Sequence, residues 1–168
     1  MGLESSARLA GFALAHAAWS ISDLPRGNLL TPFVITEEAG GRELTRFEAA
    51  TQAAAIEAGH RQVREHAERV EGWAFARDGT IRMGDPPAPY DVLVVEFGSR
   101  DDDPRYAVVQ PYEAYAVRQQ FRLLGDPLLT RGGVVLGADE FAALRTAVRE
   151  GIGQHSAVAG LWAQWRQG

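Results

Sequence analysis

The run Tyr90-Asp91-Val92-Leu93-Val94-Val95-Glu96-Phe97, answered by Arg105-Tyr106-Ala107-Val108-Val109-Gln110, is the most strand-like part of this chain. Both halves are rich in valine and aromatic residues, and the segment between them, Gly98 to Pro104, is built from turn formers. They read as an antiparallel pair. With seven residues in the loop, Phe97 faces Arg105 and the ladder continues as Glu96–Tyr106, Val94–Val108 and Val92–Gln110. Alternation then sends Leu93, Val95, Phe97, Ala107 and Val109 to one face, which is nearly all apolar and reads as core. Val92, Val94, Glu96, Tyr106, Val108 and Gln110 go to the other. That row mixes valines with a carboxylate, a phenol and an amide, as a ligand-lining or partner-binding surface does, or as the solvent side of a sheet does.

Working outward, Ala7 to Ser20 reads as a first helix, with Ser5 and Ser6 as caps and Phe12, His16 and Trp19 on one stripe. Asp23 to Asn28 is a break. Leu29 to Glu37 and Arg42 to Phe47 read as a hairpin, and setting Glu37 opposite Arg42 and Ile35 opposite Leu44 gives it sensible cross-strand pairs. From Ala49 to Val70, Ala49, Ala53, Ile56, His60, Val63, Ala67 and Val70 recur at spacings of three and four, a second helix with one apolar face. Trp73 to Arg77, Asp78-Gly79 and Thr80 to Met83 read as a short hairpin, followed by a stiff loop from Asp85 to Pro89. Beyond Pro111, read as a strand stop, Arg118 to Leu124 suggests a strand and Leu128 to Leu136 a hairpin around Arg131-Gly132-Gly133. A helix is expected from Asp139 to Glu150, interrupted at Gly151 and Gly153, and resuming from Ser156 to Arg166.

The expected architecture is one α+β domain over residues 1–168, a mostly antiparallel sheet of about 5–7 strands with three helices packed on one face. Its order is α-ββ-α-ββββ(ββ)-α.

Composition narrows the chemistry. The chain has 168 residues, 17 basic against 22 acidic, no cysteine, and arginine at every basic position with no lysine. Thiol nucleophiles, cysteine-ligated metals, lysine Schiff bases and the lysine-containing phosphate loop are excluded. The net charge of −5 and the scattered arginines argue against nucleic acid as a partner. The apolar stretch from Leu9 to Trp19 is too short to span a bilayer, so a cytoplasmic protein with no membrane partner is expected. No Gly-x-Ser-x-Gly elbow and no Gly-x-Gly-x-x-Gly after a strand is present.

Four histidines remain. His60 and His66 lie on different faces of one helix, and a set such as His16, His60 and His155 would have to be assembled from separate elements, so no metal and no cofactor is expected. The run Asp101-Asp102-Asp103 lacks the alternate spacing of a calcium loop. His60 interrupts an apolar stripe and needs a partner if buried. Two readings follow. The first is a non-catalytic protein that binds another protein or itself, of the adaptor, chaperone or immunity type, with possible homodimerisation through the Trp162/Trp165 end helix or a strand edge. The second is a small-molecule-binding domain or enzyme, its pocket between sheet and helices, with Glu96 or His60 as acid/base and Tyr106, Gln110 and His60 beside Glu96 as binding groups.

Overall fold

A computed structural model describes residues 2–24, 29–100, 106–137, 139 and 141–167. The break at Pro25 to Asn28, the acidic run Asp101 to Asp103 and Arg105 lie outside them. Helix α1 (Leu3–Ile21) leads into a hairpin, β1 (Phe33–Glu38) and β2 (Gly41–Arg46), then α2 (Gln52–His66). Two 12-residue strands follow, β3 (Gly72–Met83) and β4 (Ala88–Ser99), then β5 (Tyr106–Glu113). A short helix α3 (Tyr115–Arg118) precedes β6 (Arg122–Leu123), β7 (Leu128–Arg131) and β8 (Val134–Val135). Helices α4 (Ala142–Gln154) and α5 (Trp162–Gln167) complete the described chain. The fold is α+β, with one antiparallel sheet in the order β2-β1-β3-β4-β5-β7-β8, and β6 pairing with β5.

The β1–β2 hairpin has the expected register, Glu37 opposite Arg42 and Ile35 opposite Leu44, continuing one pair further to Glu38 and Gly41. The β7–β8 hairpin turns at Gly132 and Gly133, both at positive φ, where glycine carries no steric cost. Other expectations needed more than local sequence. Residues 72–83 form one strand, not a hairpin, because Asp78 is not a turn residue: its buried carboxylate accepts hydrogen bonds from Tyr112 Oη (2.6 Å) and the Leu30 N–H (2.5 Å). The loop expected to run through Pro89 ends earlier, since Ala88 and Pro89 already pair with Met83 and Arg82. Pro111 does not end β5. It sits where the neighbour changes from β7 to β6, and so its missing N–H breaks no ladder. Ser6 lies inside α1 and is no cap.

Helices cover both faces of the sheet. On one side α1 and α4 bury Phe33, Ile35, Ala74, Ala76, Leu93, Val95, Phe97 and Val108. Gly11 and Gly151 let these two helices cross closely: a Cβ on Gly11 would lie 2.0 Å from the Val148 carbonyl oxygen, and one on Gly151 1.9 Å from that of Arg8. Gly151 and Gly153 both sit inside α4 rather than interrupting it, and the crossing accounts for Gly151. Trp162 and Trp165 pack against this same core, Trp165 edge-on to Phe121.

On the opposite side α2, capped by Thr51 Oγ1 accepting from the Ala54 N–H, covers only Val34, Trp73 and Phe75. Its stripe starts later than expected; Ala49 precedes the helix and Ala53 is exposed.

Candidate functional site

The β4–β5 register differs by one residue from the expected one. Phe97 pairs with Tyr106, Glu96 with Ala107, Val94 with Val109 and Leu93 with Gln110. A one-residue slip exchanges the faces of a whole strand. β4 keeps its expected orientation, but β5 turns over. The reason is packing: the slip puts the Tyr106 and Tyr112 rings and Val108 into the core under α1, and leaves small Ala107 and Val109 outside.

Tyr106 and Gln110 therefore face away from Glu96. The Tyr106 ring packs beside Phe97 and under the Arg131 guanidinium. Gln110 is fully buried, and its amide N–H₂ donates to the carbonyls of Pro111 (2.9 Å) and Gly125 (3.1 Å), fastening β5 to the turn after β6.

Glu96 and His60 come together. Phe75, Glu96, Ala107 and Thr130 form one cross-strand row, and α2 lies over its Phe75 end. Gly59 lies against the Phe75 ring, where a Cβ would come within 2.5 Å of a ring carbon, and this close approach brings the next residue to the sheet. His60 packs edge-on to Phe75, and its Nε2 lies 2.7 Å from Glu96 Oε2. A carboxylate only accepts, so Nε2 carries the proton and Nδ1 is the ring's remaining acceptor in the neutral form.

Beyond α2 the same face is concave, and no helix among the described residues covers it. A trough of about 470 Å³ crosses β3, β4, β5, β7 and β8. Ile81, Val92, Val94, Ala107 and Val109 form its apolar floor, and Leu128 and Val135 its far wall. Among the described residues two charged side chains enter it, Glu96 and Arg77. Arg77 was not expected in a site. Its position inside the strand-like run Trp73–Arg77, two residues before a glycine, was the available signal. Gly79 is its neighbour on the same face, and a Cβ there would lie 3.3 Å from an Arg77 terminal nitrogen, so the guanidinium lies beside the space that the glycine leaves. Arg77 Nε is 4.0 Å from Glu96 Oε2, beyond hydrogen-bonding reach, and is buried with no hydrogen-bond partner among the described residues.

The other histidines lie elsewhere. His16 on α1 and His155 at the end of α4 meet at 3.1 Å, Nδ1 to Nε2, among Phe12, Trp19 and Phe33, on the opposite side of the sheet from His60. Burial, the charge of His155 and that of Arg46 hold His16 below the usual imidazole range, and burial does the same to His155. Two neutral rings share one N–H···N bond there. Among the described residues no three His, Cys, Asp or Glu side chains cluster as a metal site, and no helix is long and apolar enough to cross a membrane.

No family model matches this chain, nor does any curated protein or solved structure. The trough is therefore read from its own geometry.

Proposed function

We propose that the protein binds a small, mainly apolar molecule in the trough between α2 and the β7–β8 hairpin. The observation that carries this is the pairing of an apolar floor with two charged groups at one end, in a volume typical of small-molecule sites, roughly 300–1,000 Å³. His60 does not line the trough; it holds the Glu96 carboxylate, which does, and thereby fixes where that charge points. A histidine–carboxylate pair at the end of an apolar trough is also the make-up of an acid–base catalyst, and a bound molecule would meet the carboxylate first.

This reading is tested with Nile red, a neutral apolar dye, as probe. Its fluorescence should rise with saturable binding to the wild-type chain, and the rise should be lost in Val109→Arg, whose side chain occupies the floor while its charged head reaches solvent. Equal binding by a folded Val109→Arg variant contradicts the proposal.

The second reading, a module that binds another protein or its own copy, rests on a different observation. β8 is a sheet edge, and its two valines are exposed, Val134 at 66% and Val135 at 55%. An exposed apolar edge is a template for strand addition. A concentration-dependent mass that Val134→Lys abolishes supports self-association there; an unchanged monomer mass up to millimolar protein removes that form of the reading.

A further inference from the structure

Resting on the small-molecule reading of the trough, we infer that its ligand is a singly charged, apolar carboxylic acid whose carboxylate is held by Arg77. Among the described residues the trough contains one acid and one base, and they differ in what they lack. Glu96 already receives the His60 N–H at 2.7 Å. Arg77 has no hydrogen-bond acceptor among the described residues, although its Nε is fully buried. A half-buried guanidinium over a floor of valines, with Glu96 at 4.0 Å and no hydrogen bond donated to any described residue, is an incomplete arrangement, because its N–H groups lose part of their water and gain no acceptor in return. His60 maintains this state by drawing the carboxylate of Glu96 toward α2, leaving it 4.0 Å from Arg77. A ligand oxyanion completes it.

Three features narrow the class. The two terminal N–H₂ groups of arginine form a planar fork that matches a carboxylate in a bidentate pair. The floor behind the fork, Val92, Val94 and Val109 with Leu128 beyond, has no charged group and suits an alkyl or aryl body. Glu96, close to the same guanidinium, penalises a second negative charge, and this disfavours a phosphate monoester relative to a carboxylate. Within the trough the arginine is thus the binding group, and the carboxylate limits the charge of what it binds.

The test is titration calorimetry with four probes of one chain length: octanoate, octanamide, octylamine and octyl phosphate. Octanoate should bind about tenfold or more tightly than octanamide. Arg77→Gln should reduce octanoate to the octanamide level while leaving octanamide unchanged, and Arg77→Lys, which keeps the charge but loses the fork, should fall between. Glu96→Gln should tighten octanoate several-fold by removing a like charge, and should bring octyl phosphate closer to it. Octanamide binding as well as octanoate, or octylamine binding best and being lost in Glu96→Gln, overturns the inference. So does octyl phosphate binding best to the wild type, or an octanoate preference that survives in Arg77→Gln. In each of these cases Nile red still binds and the trough reading stands. If Nile red does not bind in the trough, both fall together.

Discussion

Gly59 of α2 lies flat against the ring of Phe75 in β3, and this contact sets the distance at which His60 reaches Glu96. A methyl group at residue 59 would come 2.5 Å from a ring carbon that is fully buried and has no room to retreat. Gly59→Ala should therefore destabilise the fold by about 1–3 kcal/mol, as overpacking does, and should lift α2 enough to break the His60–Glu96 bond. Urea unfolding reads the first effect. The tautomer of His60, followed by nitrogen NMR, reads the second.

Gly151→Ala offers a sign test. Helix propensity alone predicts a gain of up to about 1 kcal/mol when alanine replaces a glycine inside a helix. The α1–α4 crossing predicts a loss of about 3 kcal/mol or more, because the new methyl meets the Arg8 carbonyl at 1.9 Å. A more stable Gly151→Ala variant would show that the two helices do not cross there.

The buried Asp78–Tyr112 bond predicts both a magnitude and a pH dependence. Tyr112→Phe removes the donor to Asp78 Oδ1 and should cost about 1–3 kcal/mol. Burial holds the Asp78 carboxyl above 3.8, while its bonds from Tyr112 and Leu30 pull it down. A raised carboxyl resists ionisation when folded, so its share of stability is largest at low pH and is lost as pH rises from 3.8 through the folded value. Losing the Tyr112 bond raises the carboxyl further. Tyr112→Phe should thus fall behind the wild type progressively as pH increases, and a constant difference across that range contradicts the assignment.

The His16–His155 pair gives the opposite slope. Both rings titrate below 6.5 in the fold. Above 6.5 folded and unfolded chains are both neutral at these sites; as pH falls below it, the unfolded chain takes up protons that the folded pair resists, and stability declines toward the folded values. His155→Gln should show a shallower decline between pH 6.5 and 5 in thermal melts. An equal or steeper one would mean that the pair is not what titrates.

How much of this was legible in the sequence depends on whether a feature is local. The Gly132-Gly133 turn and the Glu37–Arg42 register follow from neighbours along the chain, and both hold. The second helix and the inward set Leu93, Val95 and Phe97 also hold, because periodicity reports them directly. The β5 register does not follow: either face of β5 carries enough valine to be core, and only the need to bury Tyr106 and Tyr112 under α1 chooses between them. Asp78-Gly79 reads as a turn until Tyr112, 34 residues away, supplies a partner. The same non-locality hid Arg77, which joins the site only once β3 lies beside β4.

The most direct test is methyl NMR of the valines and leucines during a Nile red titration. Val92, Val94, Val109 and Leu128 should shift together while Leu93, Val95 and Val108, which face the α1 side, stay still. Shifts at Val95 and Val108 with none at Val94 and Val109 would contradict both the strand register and the site built on it.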